Sequence, residues 1–228
     1  MPPSLTFQEY TTRFEAALEK RPGVRLSRLA NGALVARVGN RGPRLAVIAG
    51  LHGDETSGPL ALLEWVSTAP EPLVPHGVRL WLAPLLNDRG WDAGVRDWDG
   101  LDLNRSFLPG RQAPEFLRPL LREWRRRPPA MLLDCHEDLE SPGKAYIFRY
   151  TEEDHDLPER MAQALGIELC DWTDPGEWPG CSELFARGLG CTRCITLEAP
   201  TVWPMAQRIA WNLQALRWSV ENLTGLIA

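Results

Sequence analysis

RLAVIAGLHGDETSG, residues 44–58, is the stretch on which the reading of this chain turns. Residues 44–50 form a short, nearly continuous apolar run, the pattern of a strand buried on both faces. The polar segment HGDETSG (52–58) follows, and then PLALLEWV (59–66), which reads as a helix. Strand, polar turn and helix in that order make the repeating unit of an α/β sheet. The same signal recurs at MLLDC (131–135) and CITLE (194–198), and VRLWLAPL (78–85) reads as another strand.

Outward from these runs, residues 6–20, 114–126, 154–166 and 203–223 read as helices, the second opened by Pro114. Strands are expected at 24–29 and 33–38, joined through the hairpin signal Asn31-Gly32, and at 145–150. Residues 87–110 and 170–182 read as loops. The expected fold is α/β: one domain over residues 1–228, with a mixed, largely parallel central sheet flanked by helices.

Composition narrows the function classes. The 228 residues are 44% hydrophobic and 24% charged, ordinary values for a globular chain. A net charge of −5 argues against a nucleic-acid partner. The basic run Arg125, Arg126, Arg127 reads as a solvated helix C-terminus. No apolar run is long enough to span a bilayer, and MPPSLTFQEY lacks the pattern of a signal peptide, so no membrane partner and a cytoplasmic location are expected. Five cysteines all lie in the second half; Cys191 and Cys194 form a C-x-x-C with no partner pair, read as reduced, buried thiols.

In open α/β sheets functional groups gather beyond the carboxyl ends of the strands. His52 and Glu55 follow the strand ending near Ala49, His136 follows Cys135, and Glu198 closes the strand that begins at Cys194. The three-residue spacing of His52 and Glu55 puts both side chains on one side of a helical turn. Two imidazoles and a carboxylate, two close in sequence and one distant, suit a catalytic zinc site with an open position. Gly50 and Gly53 let the backbone turn beside them. His76 and His155 read as structural histidines.

The ordered motifs HGDE, DLNRSF, DCHED and TLEAP make the chain similar to the zinc carboxypeptidase superfamily, over about Leu45 to Pro200. That superfamily includes metallocarboxypeptidases, aspartoacylases and succinylglutamate desuccinylases. The resemblance implies one Zn2+ per chain on His52, Glu55 and His136. It implies Glu198 as the catalytic glutamate, and Asn104 and Arg105 as the pair that binds a substrate carboxylate. Arg96, with Arg89 as its competitor, would polarise the scissile carbonyl, and Asp102 would hold the other nitrogen of His52. The implied function is zinc-dependent hydrolysis of a peptide or amide bond in a small peptide or an N-acyl amino acid. The alternatives are a deacylase of the aspartoacylase or succinylglutamate desuccinylase type, and a zinc-binding module without turnover. The oligomeric state is not legible.

The chain departs from the superfamily pattern at one point. Carboxypeptidases usually carry a tyrosine some twenty residues before the catalytic glutamate, whereas residues 170–190 contain Trp172, Trp178 and Phe185. Tyr146 and Tyr150 are the available substitutes. Glu137 and Asp138, next to His136, are expected to pair with arginines or solvent, with a second metal or a substrate amine as the alternative.

Overall fold

The computed structural model describes residues 5–75, 77–108, 113–140, 143–149, 156–171 and 179–226. His76, Tyr150, His155, Trp172 and Trp178 lie outside the described residues. The apolar runs become strands of one eight-stranded sheet: β1 (Val24–Arg28), β2 (Leu34–Val38), β3 (Arg44–Ala49), β4 (Arg79–Ala83), β5 (Met131–Asp138), β6 (Tyr146–Arg149), β7 (Glu168–Asp171) and β8 (Cys194–Pro200). Their spatial order is β1-β2-β4-β3-β5-β8-β6-β7. The centre, β4-β3-β5-β8, is parallel, as is β6-β7, while β1-β2, β2-β4 and β6-β8 are antiparallel. The sheet is therefore mixed and largely parallel.

Every residue of β3 is buried, as a strand with covered faces requires. One face is covered by α2 (Ser57–Thr68) and α7 (Met205–Leu226), with α1 (Phe7–Glu19) packed on α2 and α5 (Leu157–Leu165) on α7. The aromatic cluster of Trp81, Phe107, Trp124 and Phe185 joins β4 to α4 (Arg118–Arg126) and α6 (Ser182–Gly188). The α1 helix begins at a capping box between Thr6 and Glu9 and buries the helical stripe Phe7, Tyr10, Phe14 and Leu18.

Some segments differ from expectation. The 87–110 stretch contains a short helix, α3 (Asp88–Ala93), capped by Asn87, and a 3-10 turn at Leu103–Arg105. Helix 114–126 is a 3-10 turn, Glu115–Leu117, leading into α4. Strand β7 and helix α6 were not expected. The former has little apolar signal and is specified by pairing with β6, and the latter starts where Cys181 accepts from the Leu184 N–H. Strand β5 continues through His136 to Asp138, past its apolar run, because β8 pairs with it from Leu132 to Asp138. Among the described residues no helix is long and apolar enough to cross a membrane.

The turn after β3 positions the site. Gly50 takes φ +61°, a left-handed conformation that glycine adopts without strain. Gly53 is needed for a different reason from the expected sharp turn. A Cβ there would lie 2.0 Å from the Gly90 carbonyl carbon and 2.3 Å from the Trp91 nitrogen, so His52 reaches its place only because two backbones touch. Gly53→Ala is expected to cost about 1–3 kcal/mol, the range of overpacked sites, read as a lowered denaturation midpoint. An unchanged midpoint would show that α3 yields freely.

Candidate metal centre

Strand periodicity sorts the side chains of β5 onto two faces. Cys135 turns toward α2, where a Cβ on Gly58 would lie 2.8 Å from its own Cβ. Asp134, His136 and Asp138 take the opposite face. The register pairs Asp134 with Thr196 and His136 with Glu198, and β6 places Tyr146 beside Glu198. His136, Glu198 and Tyr146 thus form one row across three strands, and Ser182 at the start of α6 donates to Asp134 on the same face. This row lines a cleft of about 430 Å³ with His52, Glu55, Arg96, Asn104, Arg105, Ser182 and Glu183.

Glu55 is the centre of the constellation. One carboxylate oxygen lies 2.7 Å from His52 Nδ1 and 2.9 Å from an Arg96 nitrogen, and the other 2.7 Å from His136 Nδ1. Ligand atoms of His52, Glu55 and His136 all lie within 4.8 Å of one another, the one such buried metal-ligand cluster among the described residues. Both rings turn Nδ1 inward and present Nε2 to carboxylates outside: His52 to Asp102 at 3.0 Å, His136 to Asp134 at 3.2 Å. Two inward imidazoles, each backed by an outer carboxylate, with a third carboxylate between them, fit a zinc-type divalent ion.

The electrostatics follow from burial and charge. Burial works to raise the Glu55 carboxyl, but His52 and His136 outweigh it and hold it well below the usual range. Burial opposes protonation of both imidazoles; around His136, Asp134 and Glu55 outweigh it, and around His52, Glu55 and Asp102 do. Asp102 is brought to about 2, the bond from His52 overcoming its burial with help from Arg105 and Arg96. Glu198 goes the other way, to about 8. Burial raises it, the His136 charge opposes, and the carboxylates Glu55, Asp138 and Asp134 add to the rise.

The remaining expected residues are also near. Arg96 reaches Glu55, whereas Arg89 pairs with Asp99 and lies over the Trp98 ring, outside the cleft. Asp102 both touches His52 and caps the 3-10 turn by accepting from the Asn104 N–H at 2.8 Å. Arg105 lines the cleft and donates to the Asn104 carbonyl at 2.9 Å. Asn104 has its side-chain amide engaged inside the protein: Oδ1 accepts from the Ser182 N–H at 3.0 Å, and Nδ2 lies 3.3 Å from His136 Nε2. Asn104 also lines the cleft, beside Arg105.

Glu137 pairs with Arg208 of α7 and accepts from the Ser57 N–H at the head of α2 at 2.5 Å. Asp138 accepts from the Tyr146 hydroxyl and the Glu140 N–H, both at 2.7 Å. Tyr146 reaches the cleft from β6, while Phe185 is buried with Trp124. Cys191 and Cys194 are buried free thiols with sulfurs 3.6 Å apart, away from the cleft. Sequence reading passed over Asp134, Ser182 and Glu183; the signal available for Asp134 was its place two residues before His136 on a strand.

A family model described as the succinylglutamate desuccinylase/aspartoacylase catalytic domain matches residues 41–223. The chain belongs to this family. Its fold is shared with solved structures below 25% identity. A metallo-carboxypeptidase from Burkholderia cenocepacia is 16% identical with a TM-score of 0.78, covering 99% of this chain and 70% of that one. A metallo-carboxypeptidase from Pseudomonas aeruginosa, in complex with (2-guanidinoethylmercapto)succinic acid, is 21% identical with a TM-score of 0.75, covering 98% and 70%. The murein-tripeptide amidase MpaA from Escherichia coli O157 is 23% identical with a TM-score of 0.64, covering 89% and 91%. No curated protein matches the sequence. The family and the carboxypeptidase-like fold agree with the motif resemblance, and the His-Glu-His cluster with a metal-dependent hydrolase.

The Glu137 clamp ties the segment that follows His52 and Glu55 to α7 through a buried pair. Glu137→Ala leaves Arg208 without its carboxylate and is expected to destabilise the chain by about 3–5 kcal/mol in urea unfolding. A loss below about 1 kcal/mol would mean that Arg208 finds solvent instead.

Proposed function

We propose that this chain is a zinc-dependent hydrolase of a peptide or amide bond in a substrate bearing a free carboxylate. The observation that carries the reading is Glu198 beside His136 in the β5–β8 register, on the cleft face that also presents the His52–Glu55–His136 cluster. The three residues of the cluster hold one zinc ion per chain. Zinc there lowers the pKa of water toward ~7 and polarises a carbonyl.

Glu198 takes the proton of the attacking water and passes it to the leaving amine. Its near-neutral pKa without metal suits a group that must both accept and donate, and an adjacent cation favours its ionised form. Arg96 would stabilise the oxyanion at the carbonyl; it is held beside the His52–Glu55–His136 cluster by its bond to Glu55. Arg105 receives the substrate carboxylate, for which a guanidinium offers two parallel donors. Asp102 keeps the His52 proton on Nε2 and leaves Nδ1 for the metal.

The cleft favours a peptide over a dianionic acyl amino acid. Besides Glu55, the carboxylates of Asp134, Glu137, Asp138, Glu140, Glu183 and Glu198 line it, and its arginines are Arg96 and Arg105. A second substrate carboxylate enters against that charge. Family membership supports the second reading, deacylation of an N-acyl amino acid.

Purified protein is expected to contain about one zinc per chain, and His136→Ala to lose it, by metal analysis. Glu198→Gln is expected to keep zinc while kcat falls by roughly 10²–10⁴, the range for general acid–base groups. Equal turnover by wild type and Glu198→Gln would remove Glu198 from catalysis, and no turnover by the zinc-loaded wild type on any substrate would leave a zinc-binding module. Assays of dipeptides beside N-acetyl and N-succinyl amino acids separate the two enzyme readings, and turnover of the acyl amino acids alone would sink the peptidase.

A further inference from the structure

We propose that Asp134 is a positioning residue that acts through His136, holding the imidazole with its proton on Nε2 and its Nδ1 lone pair turned to the metal. The proposal rests on the metal-site reading above. Asp134 is 1% exposed and sits two residues before His136 on the same face of β5. One carboxylate oxygen accepts from the Ser182 hydroxyl and lies 3.2 Å from His136 Nε2. The other oxygen has no partner among the described residues, so structural hydrogen bonding satisfies only half of this buried carboxylate. Burying a charge without full pairing costs free energy, and a neutral side chain would brace Ser182 as well. What a neutral side chain cannot supply is a negative acceptor at Nε2.

The geometry around Nε2 contains a conflict that metal binding resolves. The Ser182 N–H holds Asn104 Oδ1, which turns the Asn104 amide nitrogen toward Nε2 at 3.3 Å. An amide N–H needs a lone pair on Nε2, whereas the Asp134 carboxylate needs a proton there. One ring nitrogen cannot offer both in one tautomer. With a cation held at Nδ1 the lone pair on Nδ1 would be taken, and the neutral ring would carry its proton on Nε2. The Asp134 bond is then made, and the Asn104 amine loses its acceptor. Asp134 thereby selects the ligating tautomer, and the same choice leaves an Asn104 amide N–H free on a residue that already lines the cleft.

The test is the zinc affinity of metal-stripped protein, measured by competition with a chromophoric chelator. Asp134→Asn is expected to bind zinc about 10–100-fold more weakly, the usual effect of losing such an outer partner. Ser182→Ala removes the hydroxyl but keeps the contact with His136, and is expected to stay within about threefold of wild type. Nitrogen NMR of the zinc-loaded wild type should show the His136 proton on Nε2. A proton on Nδ1 overturns the proposal without any variant, even if Asp134→Asn fails to fold. Wild-type affinity in Asp134→Asn also overturns it, as does an equal loss in Ser182→Ala, which would locate the effect in the packing of α6. A wild type that takes up no zinc removes the metal-site reading and this proposal together, whereas the other failures leave that reading standing.

Discussion

Glu55 is 3% exposed, and both of its carboxylate oxygens lie 2.7 Å from an imidazole nitrogen, one from His52 and one from His136. A carboxylate cannot stay charged at that depth unless partners replace its water. Its partners come from the turn after β3, from the middle of β5 and, through Arg96, from the loop beyond α3. The backbone contact of Gly53 with Gly90, the β3–β5 pairing and the Glu137 clamp onto Ser57 serve the same end. They keep three distant segments close enough for one carboxylate to be shared.

The two-residue period of β5 divides labour between its faces. Cys135 and Glu137 point to α2 and α7, where they pack and clamp. Asp134, His136 and Asp138 point to the cleft. Because β8 runs parallel to β5 in a matched register, Thr196 and Glu198 fall on that same face, and β6 adds Tyr146 to the row. A slip of one residue in the β5–β8 pairing would turn Glu198 away from the cleft face that carries His136. The row of His136 and Glu198 and the stability of the sheet therefore rest on the same hydrogen bonds.

The outer layer shows how polar residues in a buried site serve more than one partner. Asp102 caps a 3-10 turn and holds His52. Asn104 bridges Ser182 and His136. Such sharing lets a short chain build a site with few residues, and it couples the head of α6 to His136 on β5. Residues that look like loop chemistry in isolation become parts of the centre once their second partner is in place.

The sequence by itself determined the central strands, the sheet class and the candidate ligands. Apolar runs and the spacing of His52 and Glu55 are local properties, and the ordered motifs carried the resemblance to the family that the comparison then showed. Only the tertiary structure decided the rest. Strand β7 exists through its pairing with β6, α6 through a cap at Cys181, and the polar end of β5 through β8. The choice of Arg96 over Arg89, the engagement of Asn104 and the place of Asp134 behind His136 each depend on a partner distant in sequence. The physical reason is one of range: periodicity and turn chemistry act between near neighbours, whereas a buried charge is settled by whichever groups the fold brings within hydrogen-bond reach.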